Sequence, residues 1–362
     1  MKKAVSLILA FVMLFALVSC GQKDNTPQVT PQPSESQTPA NTEPTPAETD
    51  YTKTAGNFRI LTAASGTIYD MVMAGAVAIT NDRLPNMTIS ASTSNGGQEN
   101  VYLMDEGEAE AICLNANIAY WALNGIEPFD QKFEFYHLLT THYNQTFFLT
   151  REGTGIKTVE DLKGKRIAVG PNGSGNANNA KDMLLGGYGL WEDNCEILYL
   201  SNADGADALK DGTIDAIVGY CSSNIAPSYI TELDLSCKDL VYLGISEEAL
   251  AKMQETMPYT GKSYIECETL TQIPQHFLAP ASMSNCAVSP YVPEDVVYAF
   301  TKTLFDNIGE LGAYHANGAK INTDTMCLGV FDGYKVHPGV AKYLKEVGKW
   351  DDSWEIGEVK TK

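Results

Sequence analysis

Short apolar runs that predict strands alternate along this chain with segments whose apolar residues recur at helical spacing. The pattern begins with a strand over residues 58–62 and a helix over 69–80, and it continues to an amphipathic helix over 293–308. A final helix is predicted to begin at residues 337–339, with a proline in its first turn. Strands and helices in alternation predict parallel βαβ units, and we therefore expect an α/β fold.

Two apolar, β-like segments are much longer than the others and cover residues 136–151 and 275–288. The folded part, of roughly 305 residues, exceeds the usual size of one hydrophobic core, so we expect two lobes. If the long segments cross between the lobes, residues 57–142 and 277–362 form lobe I, and residues 143–276 form lobe II. Two lobes joined by paired strands make a hinge, which suits closure around a ligand.

The N-terminus has the pattern of an export signal. Two lysines precede an apolar run over residues 4–18, which ends in Ser19 and Cys20. A cationic start, an apolar stretch and small residues at its end are typical of a secretory signal peptide. We expect residues 1–19 to be removed and Cys20 to carry a lipid on the outer face of the cytoplasmic membrane. The alternative is a transmembrane anchor, for which the apolar run is short.

The segment after the signal has the composition of a linker. Residues 20–56 are rich in proline, threonine, serine, glutamine and glutamate, and they contain few aliphatic residues. Such a segment cannot bury enough apolar surface to fold. We therefore predict a disordered linker that tethers the folded body to the membrane through the lipid on Cys20.

The charge balance disfavours nucleic acid as a partner. The chain carries 25 Lys and Arg residues against 45 Asp and Glu residues, which gives a formal net charge of −20. A surface of this sign repels phosphate backbones. Apart from the N-terminal run, no apolar stretch is long enough to cross a bilayer, so we expect the chain to contact the membrane through its lipid. We also expect a monomer.

The cysteines and histidines form no motif for catalysis or metal binding. None of the 8 cysteines belongs to a CxxC pair, and the 5 histidines lie in no nucleophile elbow or metal motif. We expect no catalytic residue, no metal and no cofactor, and we predict that the chain is not an enzyme. For the cysteines other than Cys20 we expect mostly buried free thiols, with one or two disulfides as the alternative.

Polar turns follow several predicted strands at their carboxyl ends, where open α/β sheets bind ligands. Residues 170–176 lie between a strand and a helix, where glycines and a helix N-terminus suit a carboxylate or a phosphate. The alternative is that Ser174 or Asn176 only caps the helix. The other polar turns cover residues 65–69, 94–100, 115–117 and 220–224. Together they offer hydroxyl and amide groups with few charges, which suits a small polar ligand.

Four motifs follow one another along the predicted folded region. They are a glycine-and-tyrosine turn in residues 60–69, Gly-Gln-Glu-Asn to Gly-Glu-Ala-Glu-Ala over 97–111, the glycine-rich segment 155–175, and a Val-His-Pro-Gly helix start in 336–348. With these motifs the chain resembles the TAXI-type solute-binding proteins of tripartite ATP-independent periplasmic (TRAP) transporters.

The resemblance implies a two-lobed, type II periplasmic-binding-protein fold, in which each lobe is a mostly parallel sheet flanked by helices and two crossing strands form the hinge. It also implies capture of a small organic solute, commonly a carboxylate or amino acid such as glutamate, and its delivery to membrane permease subunits driven by an ion gradient. Carried over by position, the ligand-facing candidates are Ser65, Gly66, Tyr69, Gly97, Asn100, Asn115, Asn117, Gly173, Ser174, Gly175, Asn176, Tyr220, Ser222 and Ser223.

The chain departs from the family pattern at three of these turns. Residues 63–65 contain fewer glycines, Asn115 and Asn117 stand where Gln and Asp are common, and Cys221 with Ser222 replaces a proline-containing turn. These departures leave the identity of the solute open. Two other functions also remain: a substrate-binding lipoprotein of an ABC importer, and a ligand-binding sensor or surface antigen.

Overall fold

Ten strands form one sheet in the computed structural model, which describes residues 50–172 and 174–361. The strands are β1 (Gly56–Leu61), β2 (Met87–Ser92), β3 (Ala111–Asn115), β4 (Tyr136–Arg151), β5 (Arg166–Ala168), β6 (Glu196–Leu198), β7 (Ala216–Ser222), β8 (Leu240–Leu243), β9 (Thr260–Ile265) and β10 (Phe277–Val288). The helices are α1 (Ile68–Asn81), α2 (Gly97–Asp105), α3 (Ala116–Asn124), α4 (Gly175–Lys181), α5 (Asn202–Lys210), α6 (Ser228–Ser236), α7 (Glu247–Thr256), α8 (Glu294–Asp306) and α9 (Pro338–Glu346).

Some of the sequence predictions fall outside the described residues. These are the signal peptide, Cys20, most of the predicted linker and Gly173. The last residues of the predicted linker are described, and they include a short 3-10 turn over Tyr51–Lys53 that precedes β1. Within residues 50–172 and 174–361, no helix has the length and apolar character that a membrane span requires.

The sheet is parallel at both ends and antiparallel in the middle. Its strand order is β2-β1-β3-β10-β4-β7-β5-β6, with β8 on β4 and β9 on β10. β1 is parallel to β2 and β3, and β5 is parallel to β6 and β7. The predicted α/β fold is confirmed with one difference. The parallel ends are not two separate sheets, because the antiparallel strands β4 and β10 join them.

The two longest strands, β4 and β10, take part in both ends of the sheet. β10 pairs with β9 through residues 277–282 and with β3 through residues 284–288. β4 pairs with β10 over residues 136–145, and with β7 and β8 over residues 144–151. These are the two long β-like segments of the sequence, and both are confirmed as strands.

Both faces of the long strands are buried. The neighbours Phe147 and Phe148 in β4 belong to different hydrophobic clusters, because successive side chains in a strand point to opposite faces. In β10, Cys286 and Ala287 divide in the same way between the two clusters at the other end of the sheet. Burial on both faces agrees with the lack of a regular alternation of apolar and polar residues in these two segments.

α6 and β9 are two elements that were not predicted from the sequence. The inner face of α6 carries a buried aspartate, Asp234, which accepts hydrogen bonds from the hydroxyls of Tyr242 at 2.7 Å and Thr271 at 2.6 Å. A buried charge at this position interrupts the apolar periodicity that indicates a helix. β9 pairs with β10, and only its two end residues, Thr260 and Ile265, are buried, so it contains no apolar run.

The packing of α9 against α8 leaves no room for a side chain at Gly339. A Cβ atom there would lie 2.5 Å from the carbonyl oxygen of Glu294 and 2.6 Å from the amide nitrogen of Tyr298. We expect Gly339→Ala to lower the free energy of unfolding by about 1–3 kcal/mol, because α9 must move away from α8. Urea denaturation measures this change.

The matched control is Gly309→Ala. A Cβ atom at Gly309 meets no heavy atom within 4 Å. The control should therefore change the free energy of unfolding by less than about 0.5 kcal/mol. Equal destabilisation by the two variants would contradict the packing argument.

Candidate functional site

Two neighbouring cavities lie beside α4, and both are lined by Gly175 and Asn179, so we call them together the cleft. The first, the Asp182 cavity, has a volume of about 100 Å³, and the second, the Tyr220 cavity, has a volume of about 510 Å³. The Asp182 cavity is further lined by Asn115, Asn117, Thr146, Asn178, Asp182, Met253, Tyr259, Thr260, Pro280, Ala281 and Ser282. The Tyr220 cavity is further lined by Ile68, Asn144, Asn176, Tyr220, Ser222, Ile225, Ala226, Pro227 and His315.

Strand register brings the cleft residues together. In the pairing of β3 with β10, Asn115 lies opposite Ser284, and in the pairing of β10 with β4, Ser284 lies opposite His142. In the pairing of β7 with β4, Ser222 lies opposite Asn144. The carboxyl ends of β3 and β7 therefore meet at nearly the same point along β4, where ligand-binding turns of α/β sheets are expected.

The turn before α4 caps the helix and presents its first residues to the cleft. The Ser174 side-chain oxygen accepts a hydrogen bond from the backbone N–H of Ala177 at 3.2 Å, which confirms the capping role considered for this turn. Gly175 is exposed and lines both cavities. Asn176 lines the Tyr220 cavity and donates a hydrogen bond to Asn202 at 3.3 Å.

The turn between β3 and α3 contributes two asparagines to the Asp182 cavity. The side-chain oxygen of Asn115 accepts a hydrogen bond from the Tyr69 hydroxyl at 2.8 Å and another from the Ser284 hydroxyl at 3.3 Å. Tyr69 thus supports Asn115 and does not line either cavity. The side-chain oxygen of Asn117 is buried and accepts no hydrogen bond within the described part of the chain.

The turn after β7 contributes to the Tyr220 cavity. Tyr220 and Ser222 line it, and the Ser222 hydroxyl accepts a hydrogen bond from Asn317 at 3.1 Å. The neighbouring Ser223 is buried and has a φ of 48°, and its hydroxyl accepts a hydrogen bond from the backbone N–H of Tyr143 at 3.3 Å. Ser223 therefore shapes the turn and does not line the cavity.

Four other candidates lie outside both cavities. Ser65 and Gly66 belong to an exposed turn before α1. Gly97 lets α2 approach β3, since a Cβ atom there would lie 2.9 Å from the Cβ of Leu114. The side chain of Asn100 is fully buried, and its amide donates to the backbone carbonyls of Thr62 and Cys113, so it holds strand ends together.

The sequence analysis missed several residues that line the Asp182 cavity. Thr146 and Ser282 lie within the apolar strands β4 and β10, where a single polar residue gives little signal. Asp182 directly follows α4. A signal for it was present, because Gly175, Asn178 and Asp182 are spaced by 3 and 4 residues and so form one polar helix face.

Among the residues that line the Asp182 cavity, Asp182 carries the carboxylic acid. Burial raises the pKa of this acid to about 6, and the charge of the Lys181 ammonium opposes the shift. Burial also raises the pKa of Tyr259 to about 12, and the nearby Asp182 charge adds to the shift. Across the cleft, burial and the charge of His315 lower the pKa of His142 to about 3. Among the residues that line the two cavities there is no lysine or arginine.

Two buried cysteines of the described chain, Cys221 and Cys267, share a hydrogen bond. This hydrogen bond, together with burial, raises the pKa of the Cys221 thiol, and it lowers the pKa of the Cys267 thiol to about 5 against the opposing effect of burial. The seven cysteines of the described chain are all free and buried, as predicted for most of them. Within residues 50–172 and 174–361, no group of three or more His, Cys, Asp or Glu residues is arranged to hold a metal ion.

Comparison with known proteins gives one family match and several related folds. The model of the NMT1-like family matches residues 60–348. A TctC solute-binding protein from Polaromonas matches 74% of this chain and 89% of its own, at 14% identity and a TM-score of 0.50. A sulfonate-binding SsuA from Methylobacillus flagellatus matches 85% and 99%, at 15% identity and a TM-score of 0.46. The likeness to the Polaromonas protein concerns the fold alone, which is that of periplasmic solute-binding proteins.

The raised pKa of Asp182 predicts that this carboxylate destabilises the ligand-free protein. We expect Asp182→Asn to raise the free energy of unfolding by about 1–3 kcal/mol at pH 8. The folded-state pKa of about 6 lies above the ordinary 3.8, so the folded protein holds this proton more tightly than the unfolded chain. The advantage of the variant should be absent below pH 4, grow between about pH 4 and 6, and stay constant above.

Urea denaturation of both proteins across this pH range measures the difference. Asp193→Asn is the control. Asp193 is exposed and lines neither cavity, and its substitution removes the same charge. An unchanged stability of Asp182→Asn at pH 8 would show that the carboxylate is better solvated than its position indicates.

Proposed function

Because this chain belongs to the NMT1-like family and has the fold of periplasmic solute-binding proteins, we propose that it is an extracytoplasmic receptor for a small organic solute. The observation that carries the proposal is the convergence of polar groups from distant parts of the chain on one cleft. Asn115, Thr146, Asn178 and Ser282 come from β3, β4, α4 and β10. A few converging hydrogen-bonding groups in a concave site are what orients a small ligand.

We propose that the solute is held by closure of two lobes. Residues 57–142 and 277–362 form the first lobe, residues 143–276 form the second, and β4 and β10 are the hinge. The Asp182 cavity supports this division, since Asn117 belongs to the first lobe and Asn179 to the second. Closure would tighten both walls on the solute and exclude water from it.

We propose that the solute carries a carboxylate, as an amino acid such as glutamate does. Gly175, in the first turn of α4, is exposed at the cleft, and the backbone N–H groups of a first helical turn favour negative charge. Helical structure continues beyond α4 through a π-helical turn over Asp182–Gly187, which lengthens the row of aligned peptide dipoles. This interaction requires no lysine or arginine side chain, and the lining of the two cavities contains none.

We propose that the receptor is tethered by a lipid on Cys20 and delivers its solute to a TRAP-type permease. The proposal is supported by the four TAXI-like motifs, which occur in order along the chain. An ABC importer is the alternative partner. Uptake that stops when the ion gradient is collapsed and persists when ATP is depleted would favour the TRAP permease, and the reverse result would favour the importer.

The receptor function predicts a bound or bindable solute. We expect native mass spectrometry of the gently purified body, from Thr52 onward, to show a stoichiometric small molecule that denaturation releases. If the protein is purified empty, a panel of carboxylates and amino acids should contain a compound that raises its melting temperature, because ligands that bind only the folded state stabilise it. A protein that binds no member of the panel would contradict the proposal.

The carboxylate hypothesis predicts that Ser174→Asp weakens binding. Aspartate caps a helix as well as serine does, so α4 should keep its structure while its start gains a negative charge. We expect affinity for the solute to fall by at least about tenfold, measured by isothermal titration calorimetry. Ser246→Asp is the matched control, since Ser246 caps α7 in the same way and lines neither cavity. Unchanged affinity of Ser174→Asp would exclude an anionic group at this end of α4.

A further inference from the structure

The carboxylate of Asp182 has no partner in the described chain, although it lines a small and partly enclosed cavity. It makes no hydrogen bond and no ion pair with residues 50–172 or 174–361. The neighbouring cation, Lys181, lies 5.9 Å over the ring of Trp191 and is exposed, so its ammonium has another contact. A carboxylate removed from water without a compensating partner is unfavourable, and in functional sites its partner is commonly the ligand.

A second acceptor without a donor belongs to a residue that lines the same cavity. The side-chain oxygen of Asn117 is buried and accepts no hydrogen bond from the described residues. Buried polar atoms are nearly always hydrogen-bonded in folded proteins, so an orphan of this kind calls for an explanation. Asp182 and Asn117 come from distant parts of the chain, and both residues line this cavity. A ligand group that donates several hydrogen bonds would supply a partner to each of them.

The remaining lining suits a cation. Thr146, Thr260 and Ser282 add hydroxyl groups that can accept hydrogen bonds, and Tyr259 adds an aromatic ring. The Tyr259 ring packs against the ring of Tyr120 with 5.5 Å between the centroids, which fixes its orientation. Aromatic faces attract ammonium groups.

We propose that the Asp182 cavity binds a primary ammonium group of the solute, with Asp182 as its counter-ion and Asn117 as a hydrogen-bond acceptor. This inference rests on the proposed receptor function and narrows the solute class to amines, including amino acids. An ammonium group carries three donors, which matches the two unpartnered acceptors and a neighbouring hydroxyl. A second carboxylate in this cavity would instead face the negative charge of Asp182.

The test uses pairs of compounds that share a carbon skeleton and differ in the amino group. The pairs are L-glutamate with glutarate, L-leucine with 4-methylpentanoate, and putrescine with 1,4-butanediol. Binding to the folded body is measured at pH 8 by calorimetry, first in a buffer free of sodium and potassium. We expect the amino member of at least one pair to bind. The affinity of its partner without the amino group should be lower by about 10- to 100-fold.

Two variants locate the effect. Asp182→Asn should weaken binding of the amino compound by about 10- to 100-fold and should not weaken the binding of its partner, because only the ammonium is attracted by the charge. Asp193→Asn, which removes an exposed carboxylate outside the cleft, should bind as the unmodified protein does. Circular dichroism of Asp182→Asn confirms that the folded structure is retained.

Three results would overturn the inference. The first is equal affinity for both members of a pair, and the second is unchanged affinity of Asp182→Asn for the amino compound. Either result leaves the receptor function intact and removes only the ammonium subsite. The third is stabilisation by sodium alone with no effect of any amine, which would assign the cavity to a metal cation. If no compound of any class binds, the receptor function itself fails, and the subsite fails with it.

Discussion

The antiparallel pairing of β4 with β10 is the interaction on which the rest of the structure depends. In the described chain, β10 contacts the parallel end formed by β1 to β3, and β4 contacts the parallel end formed by β5 to β7. Without this pairing the two ends would share no backbone hydrogen bonds. Both strands are largely buried on both faces, and their apolar residues are shared among the hydrophobic clusters on the two sides of the sheet.

The same pairing places the cleft. β3 runs antiparallel to β10, and β7 runs antiparallel to β4, so the carboxyl ends of β3 and β7 approach each other from opposite ends of the sheet. The turns that follow these strands thus meet at the middle of β4. This geometry explains why residues so distant in sequence as Asn117 and Tyr220 lie in neighbouring cavities.

The parts of the fold that could be predicted from sequence are those with a regular apolar period. The bounds of β4 agree with the long β-like segment predicted over residues 136–151, and the start of α9 agrees with its proline and its histidine cap. α6 could not be found, because Asp234 points inward and its carboxylate accepts hydrogen bonds from a residue more than thirty positions away. Long-range hydrogen bonds of this kind leave no periodic signal.

The cleft was predictable only in outline. The rule that binding turns follow strands led to Asn115, Asn117, Gly175 and Tyr220, which do line the cavities. The same rule led to Asn100, whose amide is used on backbone carbonyls instead. Sequence alone cannot separate Asn117 from Asn100, because both are asparagines near the start of a helix. The difference is that the amide of Asn100 reaches the backbone carbonyls of Thr62 and Cys113.

The groups that line the cleft, and not the net negative charge of the protein, decide which charged groups can bind there. A net charge of −20 disfavours anions at long range, but salt screens that effect beyond about 8–10 Å. Asp182 acts at contact and in a partly dry site, where two like charges 4 Å apart repel by about 4 kcal/mol at an effective dielectric constant of 20. The start of α4 has the opposite preference, and it lies about two helical turns from Asp182. Under the two proposals made above for the solute, one helix face would offer a positive end and a negative end to a solute that lies along it. Such a face would distinguish a zwitterion from a dicarboxylate without any cationic side chain.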